Sequence, residues 1–200
     1  MMLRKFIALG ALASLSAVAS AGVYTSPGGS ILDNAPDSPL VVSFNVTEAG
    51  PLASLDVTLT GLTHTWAGDL IATLTAPDGT FANLMSRPGT GTFGDSTDFG
   101  GDYRFIDGGA DLVAGLTALP GTAVLPGGDY QATVLLNDAF ASTSVLGTWT
   151  LAISDNALGD VGALGSASLS VTAVPEASTF AMFGLGLLGV AALRRRQSAV

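Results

Sequence analysis

The sequence contains very few side chains that could act as a catalytic base or nucleophile. His64 is the only histidine, and there is no cysteine. A serine hydrolase needs a nucleophile activated by a base, and that base is oriented by an acid. One histidine without cysteine also cannot build the usual zinc ligand sets. Because His64 lies in the segment T-H-T-W, with Trp66 two residues later, we expect it to pack and hydrogen-bond at the edge of a sheet.

The acidic residues are numerous enough to raise the question of acid-base chemistry. Residues 22–174 contain fourteen aspartates and Glu48. Two carboxylates at the correct separation suffice for glycoside hydrolysis, but sequence spacing does not show which acids converge. Aspartate is also a residue that turns prefer. We therefore predict that the protein is not an enzyme.

A glycine-rich stretch concentrates four of these aspartates within thirteen residues: Asp95, Asp98, Asp102 and Asp107. Calcium takes six to eight oxygen ligands, and flexible backbone lets carboxylates and carbonyls converge on one ion. Asp155, Asn156 and Asp160 form a second candidate site. The sequence thus predicts Ca²⁺ as the one candidate cofactor. The alternative is that all these acids are solvated turn residues.

The distribution of charge limits the class of partner. Residues 22–174 carry fifteen acidic and two basic side chains, which gives a net charge of −13, and they contain no lysine. Phosphate binding depends on clustered Lys and Arg, so the composition excludes nucleic acid and anionic membrane surfaces as partners. The same self-repulsion favours the binding of cations.

The hydrophobic pattern of residues 22–173 is that of β-strands. Apolar residues alternate with polar ones around Leu55, Leu70 and Trp149, and clusters of Gly, Pro and Asp separate these runs. Alternation with period two predicts strands with one buried face. We find no capped helical stretch longer than two turns. The pattern predicts an all-β domain of the jelly-roll or β-sandwich class.

The first 21 residues have the pattern of a secretory signal peptide. Arg4 and Lys5 precede an apolar run, and Ala19-Ser20-Ala21 forms an A-x-A cleavage site. We expect signal peptidase to cut there, so that the mature chain begins at Gly22. Disulfides are available outside the cytoplasm, and the absence of cysteine means that this exported domain is stabilised by its core or by bound cations.

The other end of the chain, residues 174–200, has three features in order. Val174, Pro175 and Glu176 precede an uncharged apolar segment at 177–193, and Arg194, Arg195 and Arg196 follow it. Seventeen residues lie at the short limit for a membrane-spanning helix. The arginines would hold the C-terminus in the cytoplasm and leave the acidic domain outside.

These three features resemble the PEP-CTERM sorting signal of Gram-negative bacteria. Ala177 stands where that signal usually has a second proline. The resemblance implies recognition by exosortase, transient membrane anchoring by the apolar helix, and release to the cell surface or the extracellular matrix. It also implies a link to exopolysaccharide, so that exopolysaccharide and other surface proteins are the candidate partners.

The middle of the chain resembles a second family. The segment L-T-H-T-W-A-G-D-L, the later P-D-G-T, and G-T-W-T-L followed by D-x₄-D occur in the order seen in the P domain, or Homo B domain, of proprotein convertases. That domain is a β jelly roll which follows a subtilisin-like catalytic domain and supports its folding and calcium behaviour. The resemblance implies structural roles for five residues: His64, Trp66, Gly68, Asp69 and Trp149.

Together these features predict a non-catalytic, exported structural or binding module of the cell surface or extracellular matrix. One alternative is an accessory P domain that acts with a separately encoded serine endopeptidase. The other is a carbohydrate-binding module, which an exposed row of aromatic side chains on one sheet would favour. Trp66 and Trp149 both fall within predicted strand motifs, where burial is expected.

Overall fold

The computed structural model describes residues 20–174, together with Gly184 and Gly186. Within that range the chain forms ten strands and two short helices. The strands are β1 Ser20–Ile31, β2 Leu40–Val46, β3 Leu52–His64, β4 Leu70–Thr75, β5 Phe81–Ser86, β6 Asp98–Asp111, β7 Val124–Leu125, β8 Gly128–Gln131, β9 Gly147–Asp155 and β10 Gly162–Ala173. The helices are α1 Leu112–Thr117 and α2 Leu136–Ala139, and a single 3-10 turn covers Ala67–Asp69.

The strands form two sheets. Sheet 1 has the order β1-β10-β3-β6-β7, and β8 also pairs with β6. Sheet 2 has the order β2-β9-β4-β5. All pairs are antiparallel except those of β6 with β7 and β8. The predicted all-β, jelly-roll or sandwich class is confirmed.

The alternating sequence pattern determines which side chains fill the space between the sheets. Each predicted run buries its apolar residues and leaves its polar neighbours partly exposed. A single apolar cluster includes residues of both sheets. Trp149 lies fully inside it, where its ring packs edge-on against Phe140 at 5.1 Å and its Nε1 donates to the carbonyl of Val145.

The structure corrects the sequence analysis for the glycine-rich stretch. Residues 98–107, expected to be flexible Gly-rich backbone around a calcium ion, belong to β6, a strand of fourteen residues. The strand could not be predicted from the alternation of apolar and polar residues, because glycines and aspartates interrupt that alternation in β6. Phe99, Tyr103 and Phe105 are nevertheless buried, and β6 is held by pairing with β3 on one side and with β7 and β8 on the other.

The two predicted processing sites lie at the limits of the described range. Ala21 and Gly22 pair with Thr172 and Val171 in sheet 1, whereas Ala19 lies outside the described residues. Of the sorting signal, only Val174 is described. Its N–H donates to the carbonyl of Pro51. Pro175, Glu176, the apolar segment 177–193 and the three arginines lie outside.

Within the part of the chain that is described, no helix is both long enough and apolar enough to span a membrane.

Candidate functional site

The sole histidine pairs with an aspartate across the two sheets. His64 is the last residue of β3 in sheet 1, and Asp155 is the last residue of β9 in sheet 2. The distance from His64 Nε2 to Asp155 Oδ2 is 3.1 Å, and both side chains are fully buried. The pair therefore ties the end of one sheet to the end of the other.

The second ring nitrogen of His64 faces backbone rather than a catalytic group. His64 Nδ1 lies 3.2 Å from the N–H of Trp66 and 2.9 Å from its carbonyl oxygen. The ring is also closely covered, because a Cβ on Gly162 would lie 2.5 Å from His64 Cδ2. Both nitrogens thus have protein partners, and neither contacts a hydroxyl that could serve as nucleophile.

The position of His64 corrects one detail of the sequence analysis. The residue was expected at the edge of a sheet, but β3 lies between β10 and β6, and His64 is almost completely buried. The strand is interior because β3 pairs with a neighbouring strand along both of its edges. Trp66, expected inside a strand, follows the end of β3 and is only half-buried; its Nε1 donates to the carbonyl of Phe93.

A second buried acid lies beside the pair. Asp69 is the last residue of the 3-10 turn, directly before β4, and it is 3% exposed. Arg87 reaches it with Nη2 at 3.4 Å from Oδ1 and donates from Nε to the carbonyl of Gly68. Burial raises the pKa of Asp69 above its ordinary value, and the negative charges of Asp155 and Asp160 add to this effect, whereas Arg87 and His64 oppose it.

Asn156 completes this group of side chains. Its backbone N–H and its amide Nδ2 both donate to the carbonyl of Asp69, at 2.9 and 3.0 Å. Its own carbonyl oxygen lies 3.5 Å from Nη1 of Arg87. We call the set of His64, Asp69, Arg87, Asp155 and Asn156 the buried polar cluster. It connects the segments that follow β3, β5 and β9.

The glycine of the predicted motif has a specific steric role. A Cβ on Gly68 would lie 2.4 Å from the carbonyl oxygen of Phe93 and 2.5 Å from the nitrogen of Asp95. The N–H of Gly68 donates to the carbonyl of Asp95 at 2.8 Å. The loop at residues 89–94 is therefore held against the 3-10 turn by close backbone contact at Gly68.

The predicted calcium ligands are used separately. Each of five carboxylates accepts hydrogen bonds from a different part of the protein: Asp95 from Thr97, Asp102 from Gly61, Asp107 from Leu136 and Asn137, Asp155 from His64 and Ala157, and Asp160 from Thr65. Asp107 caps the N-terminus of α2 in this way. Asp98 differs, because its Oδ1 is buried without a hydrogen-bond partner among the described residues.

These positions do not fit one calcium site. The seven residue steps from Asp98 to Phe105 alone span roughly 23 Å at about 3.3 Å per residue. Asp107 lies beyond them, where residues 106–109 bulge out of the strand, since Phe105 and Ala110 both pair with Tyr130. Across residues 20–174 no group of three or more His, Cys, Asp or Glu side chains is placed to hold a metal ion. The acids that the sequence groups together are thus spread over the fold, and calcium binding stays a prediction.

A groove of about 350 Å³ lies beside β5. Its charged side chains are Arg87 and Asp111. Both are engaged within the protein, because Arg87 contacts Asp69 and Asp111 accepts from the N–H of Ala114 at the start of α1. The groove therefore presents neither a free charge pair nor a nucleophile with its base.

The sequence did not predict the partners of the two arginines in the acidic domain. Arg87 is one of only two basic residues in the acidic domain, and this scarcity was a signal that it has a specific partner. Arg104, the other one, binds Asp56 through two hydrogen bonds of 3.0 Å on the outer face of sheet 1. Nothing in the sequence indicated which acids these arginines would select.

The exposed aromatic residues do not form a row. In the described range the strongly exposed ones are Phe81, on β5, and Phe93, in the loop before β6. Trp66 is half-buried and Trp149 is fully buried. The described residues therefore lack the exposed aromatic row that would favour a carbohydrate-binding module.

Two of the solved structures that this chain resembles come from one bacterium. The serine protease of Aeromonas sobria in complex with a chaperone is 19% identical over 78% of this chain, with a TM-score of 0.48. The serine protease of Aeromonas sobria alone is also 19% identical, over 76% of this chain, with a TM-score of 0.46. The chain spans only 28% and 27% of those two protein chains. No curated protein matches the sequence.

Comparison with family models finds the sorting signal. Residues 173–196 match the PEP-CTERM protein-sorting motif. This match covers Val174, Pro175, Glu176 and the arginines at 194–196, as the sequence analysis predicted. The motif indicates export, membrane anchoring before sorting, and processing by exosortase. The chain is therefore an exported protein that carries a PEP-CTERM sorting signal at its C-terminal end.

Proposed function

We propose that this protein is a non-catalytic β-sandwich module that acts at the cell surface or in the extracellular matrix as a structural or binding protein. Signal peptidase removes residues 1–21, and exosortase removes the segment that follows the sorting motif. The remaining domain carries a net charge of −13. Such a charge keeps an exported domain soluble and keeps it away from anionic surfaces.

The state of His64 is the observation that supports the absence of catalysis. The side chains of His64 and Asp155 are both fully buried, and the ring is oriented by the backbone of Trp66. A general base must come within hydrogen-bond reach of the proton that it abstracts. A ring enclosed in this way serves to connect two sheets, and it is not presented to a substrate.

A chemical probe tests this proposal directly. The protein released from producing cells is incubated with a fluorophosphonate, which labels activated serines, beside a subtilisin-class protease as positive control. We expect labelling of the protease and none of this protein. Covalent labelling that disappears in a His64→Ala variant, folded by circular dichroism, would overturn the proposal.

Mass spectrometry of the released protein tests the processing. We expect a mature form that begins at Gly22 and lacks Arg194, Arg195 and Arg196. A released form that keeps the three arginines would contradict sorting by exosortase. A form with a different first residue would correct the signal cleavage site and leave the sorting unaffected.

The second candidate function is that of an accessory P domain in a serine endopeptidase system. What supports it is the placement of the motif residues: His64, Gly68 and Asp69 all lie at one end of the sandwich, in the buried polar cluster or directly against it. Affinity purification of the tagged, released protein tests this candidate. Recovery of a secreted serine protease at constant stoichiometry would support it, and recovery of the protein alone would not.

A further inference from the structure

The outer face of sheet 2 carries no charge. The side chains that point away from the core on β2, β4, β5 and β9 are threonine, serine, asparagine and four apolar residues, and none is Asp, Glu, Lys or Arg. One row across the sheet illustrates the composition. Ser43 pairs with Thr150, Thr150 pairs with Thr75, and Thr75 pairs with Phe81.

This neutrality is unusual for the molecule that carries it. The domain has fifteen acids, and the outer face of sheet 1 presents Asp56, Arg104 and Asp129. The one acid within the four strands of sheet 2 is Asp155, at the end of β9, and its side chain is buried. Asp78 lies in the turn between β4 and β5. The charge of the domain is therefore displaced from one broad surface to the loops and to the opposite sheet.

The uncharged face combines fixed polar groups with exposed apolar ones. Thr73 Oγ1 donates to Asn83 Oδ1 at 2.8 Å, and Thr148 Oγ1 donates to Asn45 Oδ1 at 3.0 Å. Each contact fixes an asparagine whose amide nitrogen can still donate outward. Phe81 is 67% exposed and lies at the edge of the same sheet. The face can therefore exchange hydrogen bonds and bury apolar area against a partner with the same properties.

We propose that the outer face of sheet 2 binds the same face of a second copy of this chain. Two copies necessarily carry net charge of the same sign, and like charges brought together oppose association. Contact through sheet 2 leaves the acids of both copies outside the interface. Because opposed faces of a two-fold dimer are identical, amide and hydroxyl groups on one copy meet acceptors and donors of the same kind on the other.

The dimensions of the face set the strength of this contact. Four strands about 4.8 Å apart and about six residues long give an area of roughly 300–400 Å². A standard interface buries about 800 Å² on each partner. The association is therefore weak and becomes important where copies are concentrated, as on a surface. This inference goes beyond the proposed function and does not depend on it.

Sedimentation equilibrium of the released protein provides the test. We expect the weight-average mass to rise with protein concentration. We also expect the dissociation constant to fall several-fold between about 0.15 M and about 1 M NaCl, because the screening length shortens from about 8 to about 3 Å. A mass that stays monomeric at every concentration and both salt concentrations would overturn the proposal, and binding of a neutral glycan by that monomer would reassign the face.

Matched variants locate the contact. Thr150→Asp places a charge in the centre of the uncharged face, and we expect it to weaken association at least tenfold. Thr58→Asp is the control, because Thr58 occupies the equivalent outer position on sheet 1, between Ser168 and Arg104, and should leave association unchanged. Ser43→Asp, on the exposed edge strand β2, repeats the test if Thr150→Asp does not fold.

A mixing experiment distinguishes charge repulsion between the two faces from misfolding of the variants. Thr150→Lys alone should also be monomeric, whereas an equimolar mixture of Thr150→Lys and Thr150→Asp should associate, because opposite charges then meet across the two-fold axis. No association in the mixture, or an equal loss in Thr58→Asp, contradicts the proposed face. Loss of association in Leu158→Asp alone would place the contact at the loop end, where Leu158 is 77% exposed.

Discussion

Two polar pairs of this protein have similar geometry and opposite surroundings. In the buried polar cluster, His64 and Asp155 lie 3.1 Å apart and both side chains are completely buried. On the outer face of sheet 1, Arg104 and Asp56 lie 3.0 Å apart, and the arginine side chain is 40% exposed. The first pair joins two sheets, and the second joins two neighbouring strands of one sheet.

The difference shows that surroundings, more than distance, determine what a polar contact contributes. An exposed pair exchanges one set of solvated charges for another and contributes about 0–1 kcal/mol. A buried pair has lost its water, so removal of one partner leaves the other without compensation. Arg104 also has a second acid, Asp129, at 3.5 Å, and water can replace either partner.

Breaking the buried pair should have the largest effect. We expect Asp155→Ala to lower the free energy of unfolding by about 2–4 kcal/mol, since it leaves a buried imidazole N–H without an acceptor and also removes the acceptor for the N–H of Ala157. Urea denaturation followed by tryptophan fluorescence measures the change. Asp160→Ala is the control, because Asp160 accepts from Thr65 at an exposed position. A loss below 1 kcal/mol would show that burial does not separate the two pairs.

The second prediction concerns the pH dependence that Asp69 gives to the cluster. Because its pKa is raised above 3.8 in the folded protein, the folded state binds the proton more tightly than the unfolded chain does. Stability therefore falls as pH rises from about 3.8 through the folded pKa. Asp69→Asn replaces this titrating carboxyl group with an amide that stays neutral at every pH.

We therefore expect the stability of Asp69→Asn, relative to the unchanged protein, to improve as pH rises through that window and to stay constant above it. Unfolding free energies measured between pH 3.5 and 7 test the sign. The same comparison for Asp56→Asn is the control on the exposed side. An opposite slope for Asp69→Asn would show that Arg87 and His64 outweigh burial.

Removal of the exposed pair should have a small effect. We expect Arg104→Ala to lower the free energy of unfolding by at most about 1 kcal/mol, and we expect high salt to reduce even this change. Denaturation at low and at high NaCl measures both quantities. If Arg104→Ala destabilises the protein as much as Asp155→Ala does, exposure is not what separates the two pairs.

Removal of calcium should have the smallest effect. A ligand that binds only the folded state raises stability in proportion to its binding, but five of the six predicted ligands already accept protein hydrogen bonds. Asp98, whose Oδ1 is buried without a hydrogen-bond partner in the part of the chain that the structure describes, is the residue at which a bound ion would matter most. We expect any rise of the Tm with calcium to be lost in Asp98→Asn, and equal Tm values before and after chelation would remove the calcium hypothesis.

Much of the fold could be predicted from the sequence because it depends on local alternation. The runs around Leu55, Leu70 and Trp149 form strands β3, β4 and β9 with the expected buried faces. Strand β6 could not be predicted in this way. Its glycines and aspartates give no clear alternation, and its extended form depends on pairing with strands distant in the sequence.

The candidate site was predictable only in part. His64, Gly68 and Asp69 stand close together in one motif, so their structural role could be proposed from the sequence. Their partners could not, because Asp155 lies 91 residues after His64 and Arg87 lies 18 residues after Asp69. His64 finds Asp155 where strand ends from two sheets meet, and Asp69 finds Arg87 where β5 ends beside the start of β4. No local pattern encodes either meeting.

By itself, the sequence determined the sorting signal, the acidity of the exported domain and its all-β class, because composition and short-range order are sufficient for each. Only the tertiary structure decided that His64 is enclosed with Asp155 and that the calcium candidates are dispersed. It also decided that strands β2, β4, β5 and β9, whose outward-facing positions carry no charge, share one sheet. These properties depend on which strands become neighbours, and that choice is made by packing of the whole chain.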